Sequence, residues 1–163
     1  VLATLAASLA LTLGAISAPA AGADPVNPLT ASVDKAVAHP GETVTLTVTF
    51  TNPETVPVTF SYLSATPVYA TQVSGVDYAM TSCTGQIGPC WYSTPEPWAA
   101  YTTLTSPIAP GATRTVDITF QVEPTSACGG GRNITFFFYT YRESTAGFVG
   151  QIVNGPPGTV VEC

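Results

Sequence analysis

Positive charge is what this chain has least of. Among its 163 residues only Lys35, Arg114, Arg132 and Arg142 are cationic, against ten carboxylates, for a net charge of −6. A chain this poor in basic residues has no electrostatic footprint for nucleic acid or anionic lipid, so neither is an expected partner. Histidine is scarcer still. The single His39 sits in a His39-Pro40-Gly41 turn, away from any motif that would join an imidazole to a nucleophile and an orienting carboxylate. Paired cysteines of the C-x2-C kind are missing, which argues against zinc. Asp-Gly-rich calcium loops are missing too. The acids Asp34, Glu42, Glu54, Asp77, Glu96, Asp117, Glu123 and Glu143 are scattered, with no local carboxylate pair of the kind glycoside hydrolysis needs. No catalytic residue, metal or cofactor is therefore expected. A small secreted enzyme whose site forms only in three dimensions is the alternative to a non-enzymatic reading.

Helical periodicity is absent, and long apolar runs are confined to one place. Val1 to Ala18 is uncharged and apolar, followed by Pro19 and the small-residue run Ala20-Ala21-Gly22-Ala23. That is the apolar core and cleavage site of a secretory signal peptide, lacking a basic leader and initiator Met, so the chain reads as truncated at its N-terminus. At the lower limit for a membrane span, and ending in Pro and an A-x-A sequence, the run favours cleavage over anchoring. The expected organisation is a signal peptide over 1–23 and one exported domain over 24–163, secreted or in the cell envelope, with no membrane insertion after cleavage.

The four cysteines, Cys83, Cys90, Cys128 and Cys163, are an even number in an exported chain and point to disulfides. Four cysteines allow three pairings. Cys83–Cys90 and Cys128–Cys163 are favoured, the first closing a Gly- and Pro-containing loop, the second tying the last residue to the loop before a strong strand.

What the chain has in abundance is β-pattern. In Glu42 to Thr51, Val44, Leu46, Val48 and Phe50 alternate with threonines, and in Thr113 to Val122 the same role falls to Val116, Ile118, Phe120 and Val122. Period-2 alternation puts one face in the core and the other in water, and β-branched Thr suits the outer face. Thr30 to Val37 is a candidate first edge strand. Val56 to Leu63 is another strand, with Val58, Phe60 and Tyr62 or their neighbours inward. Val68 to Val73 and Val76 to Met80 are weaker strands, Cys83 to Trp98 reads as loop, and Tyr101 to Thr105 as a short strand. Asn133 to Arg142 is apolar on both faces, with Ile134, Phe136 and Phe138 on one and Phe137, Tyr139 and Tyr141 on the other. Such a strand is expected to be central, its second face covered by another layer or loop. Gly147 to Asn154 and Thr159 to Glu162 finish the domain. One echo recurs: HPGETVTLTVTF at His39–Phe50 aligns with APGATRTVDITF at Ala109–Phe120 without a gap, read as two Pro-Gly turns feeding alternating strands.

About seven to nine short strands with turns every 8–12 residues indicate an antiparallel β-sandwich. The stretch P-G-E-T-V-T-L-T-V-T-F-T-N within Ala36 to Asn52, with the later A-P-G-A-T-R-T-V-D-I-T-F, resembles an immunoglobulin-like repeat family of bacterial surface and secreted proteins to which no function is assigned. The resemblance spans roughly Ala31 to Val122. It implies an all-β, single immunoglobulin-like antiparallel β-sandwich with an extracellular location, and implies no ligand. The chain departs from the family in having no acid over Ser61 to Pro67, where an acid and Pro usually follow the third strand, and in carrying one copy.

For recognition, the candidates are Trp91, Tyr92, Trp98 and Tyr101, around Pro95 and Pro97. Exposed rings stack on sugar faces or anchor protein partners; the opposing reading is that these rings cap an open end of the core. Asn133-Ile134-Thr135 matches a glycosylation sequon, read as coincidence at the start of a core strand. The composite expectation is a secreted, non-enzymatic extracellular or cell-envelope binding or structural module, its partner an unknown extracellular protein or a glycan. A carbohydrate- or cell-wall-binding module using the aromatic loop is the alternative within that class.

Overall fold

A computed structural model describes residues 27–153 and 158–163; the expected leader over 1–23 lies outside the described residues. The strands are β1 (Leu29–Val33), β2 (Val37–Ala38), β3 (Thr43–Thr51), β4 (Val58–Pro67), β5 (Tyr78–Gly85), β6 (Ile87–Tyr92), β7 (Ala100–Leu104), β8 (Thr113–Val122), β9 (Asn133–Ile134), β10 (Phe136–Ser144), β11 (Gly147–Val153) and β12 (Thr159–Val161), with one helical turn, α1 (Tyr69–Gln72). They form a four-stranded sheet, β1-β3-β8-β5, a five-stranded sheet, β11-β10-β4-β7-β6, and a small three-stranded sheet, β2-β12-β9. Among the described residues all pairings are antiparallel except β2 with β12. This is an antiparallel sandwich, as the alternation and turn spacing predict, and its architecture is the immunoglobulin-like one that the resemblance implies.

The core is built by that alternation. Val44, Leu46, Val48 and Phe50 from β3 and Val116, Ile118, Phe120 and Val122 from β8 are all buried, because the two strands pair in a register that puts their apolar sets on one face, Leu46 opposite Ile118 and Val48 opposite Val116. The five-stranded sheet answers with Leu63, Ala65, Ala100, Leu104, Phe136 and Phe138. Tyr78, Phe120 and Phe136 meet edge-to-face across the interior, with ring centroids 5.6–5.8 Å apart, the geometry that aromatic quadrupoles favour.

The two Pro-Gly turns of the sequence echo are related in space as well. His39–Glu42 and Ala109–Ala112 are each closed by a backbone bond from the fourth residue to the first carbonyl, at 3.0 Å in both. Gly41 N–H donates to Val122 at the end of β8, and Gly111 N–H donates to Asn52 at the end of β3. Each turn therefore locks onto the far end of the other's strand, and the echo is the central hairpin-like pair of one sheet.

At one side of the sandwich the chain crosses directly between sheets. β5 belongs to the four-stranded sheet and β6 to the five-stranded one, with Gln86 alone between them, its N–H on Thr115 O and its carbonyl accepting from Thr105 N–H. Gly85 makes the crossing at φ +121°, where an added Cβ would lie 2.3 Å from the Thr115 carbonyl oxygen. Cys83 and Cys90 are bonded across this step and Cys128 to Cys163 at the C-terminus. The second bond, with Arg132 Nε on Ser74 O and its Nη1 on the Cys128 and Gly129 carbonyls, fastens β12 between β2 and β9.

Several local expectations are corrected. Thr30 to Val37 is not one strand: Asp34 turns it, its N–H donating to Thr45 O while its Oδ1 accepts from Thr45 N–H. Val68 to Val73 is not a strand but carries the helical turn α1 over Tyr69–Gln72, which turns Thr71 inward, where its Oγ1 donates to Asn133 O and accepts from Thr135 N–H. The same contacts divide Asn133 to Arg142 into β9 and β10. The Cys83 to Trp98 region carries the end of β5 and all of β6; its Pro89 is tolerated because β6 is an edge strand. In β4 the inward set is Ser61, Leu63 and Ala65, while Phe60 points out, because a bulge opposite Glu143 and Ser144 shifts the phase after Val58.

Candidate functional site

Every cation of the chain is engaged by the chain itself. Lys35 Nζ lies 3.5 Å from Glu42 Oε1. Arg114 donates to the carbonyls of Thr105, Thr113 and Pro107, Arg132 to the three carbonyls above, and Arg142 Nε to Glu54 Oε1 at 2.9 Å. None is left displayed for an anion. His39 sits in its exposed turn with Nδ1 3.1 Å from the Glu162 carbonyl. Among the described residues no three His, Cys, Asp or Glu side chains gather as metal ligands. A small cleft of about 50 Å³ between Pro67, Thr71, Gln72, Val76, Tyr78 and Trp98 includes one carboxylate, Asp77, with no imidazole or thiolate beside it. Among the described residues these groups form no nucleophile–base pair.

The feature that stands out lies on the outer face of the five-stranded sheet. Register and pleat settle which side chains point there. Tyr141 pairs with Tyr62, Tyr139 with Ser64, Phe137 with Thr66 and Glu143 with Phe60; Ser64 pairs in turn with Tyr101, and Tyr62 with Thr103; Tyr101 pairs with Trp91. On the other side Tyr139 pairs with Ile152 and Glu143 with Phe148. Directly opposed residues share a face, and the opposite faces of the same strands carry Phe136, Phe138, Leu63, Ala100 and Leu104 into the core. Phe60, Tyr62, Trp91, Tyr101, Phe137, Tyr139, Tyr141 and Phe148 therefore lie together on one outer surface.

Several of these rings meet in two groups, Phe60–Tyr141–Phe148 and Tyr62–Tyr139. Phe60 and Tyr141 are 6.2 Å apart, Tyr62 and Tyr139 6.3 Å, and Tyr141 and Phe148 6.1 Å. Ser64, between Tyr101 and Tyr139 in the register, puts a small side chain where its neighbours are large and so lowers the centre of the surface. At Gly150 an added Cβ would lie 2.8 Å from Tyr139 Oη, so β11 leaves room for that phenol to lie across it. Partial burial raises the pKa of the Tyr62 hydroxyl, with the adjoining Tyr101 and Tyr139 adding to the shift. The Tyr141 hydroxyl is raised mainly by its 2.7 Å bond to Glu143 Oε1. Both the Tyr62 and the Tyr141 hydroxyl therefore stay neutral at physiological pH and can donate or accept hydrogen bonds. Exposure reaches 50% at Trp91, 75% at Phe148 and 60% at Ile152. The central rings Tyr62, Tyr101, Phe137, Tyr139 and Tyr141 are half-buried and Phe60, Trp91, Phe148 and Ile152 exposed, so among the described residues the face is partly screened where a covering layer or loop was expected on β10.

The four aromatic residues singled out from sequence divide in two. Trp91 and Tyr101 are cross-strand partners on the outer face. Tyr92 and Trp98 pack against the core, and the Trp98 carbonyl accepts the buried Tyr78 hydroxyl at 2.9 Å. The rest of the array comes from β4, β10 and β11. Its signal was present in the doubly apolar run at Phe136–Tyr141, which sequence reasoning assigned to burial.

No family model and no curated protein matches the chain. Solved structures do. The major pilin subunit of Bacillus cereus, BcpA*(D312A), superposes with TM-score 0.54 at 8% identity, over 81% of this chain and 40% of that one. The major pilin SpaD of Corynebacterium diphtheriae gives 0.56 at 11%, over 77% and 34%. ACE19, the collagen-binding subdomain of the Enterococcus faecalis surface protein ACE, gives 0.53 at 8%, over 86% of this chain and all of that one. The chain thus spans well under half the length of the pilins it matches. At these identities the likeness is one of fold: the sandwich has the immunoglobulin-like architecture used in Gram-positive pilins and adhesins.

Proposed function

We propose that this protein is a non-enzymatic binding module of the extracellular space or cell envelope, and that its ligand lies along the outer aromatic face of the five-stranded sheet. The observation that carries the reading is that surface itself. A sheet facing water ordinarily shows polar residues, and a contiguous apolar surface of this kind marks an interaction site. Rings held by a rigid sheet contribute contact area at little entropic cost. The apolar N-terminal segment supports export, the two disulfides suit an oxidising compartment, and the fold is one that surface proteins use for structure and adhesion.

A glycan is favoured over a charged partner by the composition of the face. Tyr62, Tyr101, Tyr139 and Tyr141 combine a stacking surface with a hydroxyl, Thr103 lies opposite Tyr62, and Glu143 is the one charge in the array, already bonded to Tyr141. Neutral sugars stack on rings and hydrogen-bond to such hydroxyls. The test is a pull-down of the purified protein against intact cell envelope and a glycan array, with Trp91→Ala/Tyr101→Ala and Tyr62→Ala/Tyr139→Ala as comparisons and Trp98→Phe as a control off the face. Binding lost in both double variants and kept in the control is the expected result. Binding unchanged in both would remove the aromatic face from the reading.

A further inference from the structure

From strand β11 we infer that the protein pairs with a second copy of itself, edge to edge, joining two five-stranded sheets into one. β11 is an edge strand, and beyond its pairing with β10 its backbone has no partner among the described residues. Edge strands are ordinarily blunted by charge, Pro or bulges, and the other edges of the two main sheets show such devices. β1 is five residues long and runs into Asp34 and Lys35. β5 and β6 each carry a bulge, β6 contains Pro89, and a disulfide joins them. β11 has none of these: Gly147-Phe148-Val149-Gly150-Gln151-Ile152-Val153 is seven uncharged residues, paired to β10 without a register shift.

The sequence of β11 is complementary to itself in one antiparallel register. With Gly150 on the two-fold axis, Phe148 of one copy faces Ile152 of the other, Val149 faces Gln151, and Gly147 faces Val153. The two most exposed apolar side chains of the strand, Phe148 at 75% and Ile152 at 60%, then cover each other twice. Glycine at the axis leaves open the space that the Tyr139 phenol needs in both copies. Charge does not oppose the approach, although each chain carries −6 overall, because no acid lies within the strand. A second copy supplies the matching edge, the matching apolar pair and closed two-fold symmetry, the commonest form of assembly. It also doubles the length of the aromatic surface.

The test is the oligomeric state of the full protein by sedimentation equilibrium up to about 1 mM, in wild type and two designed variants. Phe148→Lys/Ile152→Lys places like charges opposite each other in this register and is expected to weaken dimerisation more than about tenfold. Phe148→Lys/Ile152→Glu places Lys opposite Glu in the same register and is expected to restore it relative to the double lysine variant. Both positions are exposed, so circular dichroism should show both variants folded. A protein monomeric throughout the range, or a dimer indifferent to the double lysine variant, overturns the inference and leaves the edge to a strand of another protein. A dimer weakened equally by both variants refutes the Gly150-centred register.

Discussion

Removing the Glu54 side chain is expected to destabilise the sandwich far more than removing the Arg142 side chain it pairs with. Arg142 points inward from β10, and its side chain is 8% exposed, against 17% for Glu54. Its Nε donates to Glu54 Oε1 at 2.9 Å, and Nη1 has no protein partner. Glu54 reaches this position because Asn52, itself buried, organises the loop: its Oδ1 accepts Glu54 N–H at 2.9 Å while its amide donates to the Val56 and Ile108 carbonyls. Glu54→Ala leaves a guanidinium in the interior without its counter-charge, a change that costs about 3–5 kcal/mol in comparable buried pairs. For a domain of this size that is about 10–15 °C in Tm. Arg142→Met removes the buried charge altogether, and the remaining Glu54 is the more exposed partner, so the cost is expected to be about 1–2 kcal/mol. Combining the two should cost less than Glu54→Ala alone. Equilibrium urea unfolding, followed by the fluorescence of Trp91 and Trp98, gives all three values. A Glu54→Ala variant within about 1 kcal/mol of wild type would refute the role of a buried, unpaired guanidinium. That result would mean the unpaired Ser61 Oγ, Thr140 Oγ1 and Gln151 Oε1 around Arg142 hold enough water to solvate the charge.

Two further expectations follow from single groups. Burial pushes the Tyr78 hydroxyl well above the usual tyrosine range. Because the neutral form is favoured in the fold, its contribution is complete below about pH 10 and is lost as pH climbs past the unfolded value toward the folded one. Tyr78→Phe should cost about 1–2 kcal/mol at neutral pH through the lost bond to Trp98 O. It should also flatten the alkaline limb of a stability–pH curve; a limb as steep as wild type would show that another group governs it. The second pair separates contact from conformation. Gly111 has φ +71° and open space around an added Cβ, whereas Gly85 meets the Thr115 backbone at 2.3 Å. Gly111→Ala is expected to cost about 1–2 kcal/mol, and Gly85→Ala several times more, as read by thermal unfolding; equal losses would refute Gly85 as the residue that lets the chain change sheets.

Much of the fold was legible because it obeys a local rule. β3 and β8 alternate strictly, and one face of each is buried without exception from Val44 to Phe50 and from Val116 to Val122. The Pro-Gly turns that feed them are local too. What was not legible depends on partners distant in sequence. α1 exists to place Thr71 against Asn133 and Thr135, more than sixty residues away. The crossing at Gly85 is dictated by the Thr115 carbonyl. The phase of β4 is reset by a bulge against β10 that no property of Val56–Leu63 announces.

The candidate site shows the same division at its sharpest. Composition drew attention to both tryptophans and their tyrosine neighbours, yet the pleat sends Trp91 and Tyr101 outward while Tyr92 turns in. The larger signal was the run Phe136 to Tyr141, apolar on both faces. From sequence, such a strand means burial on two sides, since an apolar face left in water costs free energy that ordinary sheets avoid. In the fold β10 is flanked by β4 and β11 and roofed by nothing among the described residues. Its outer rings find partial cover in Phe60, Tyr62, Phe148 and the β11 backbone at Gly150. Sequence periodicity reports how apolar a face is and never what lies over it. Where a strand interior to its sheet is apolar on both faces and the fold provides one layer, the second face is the place to look for a ligand.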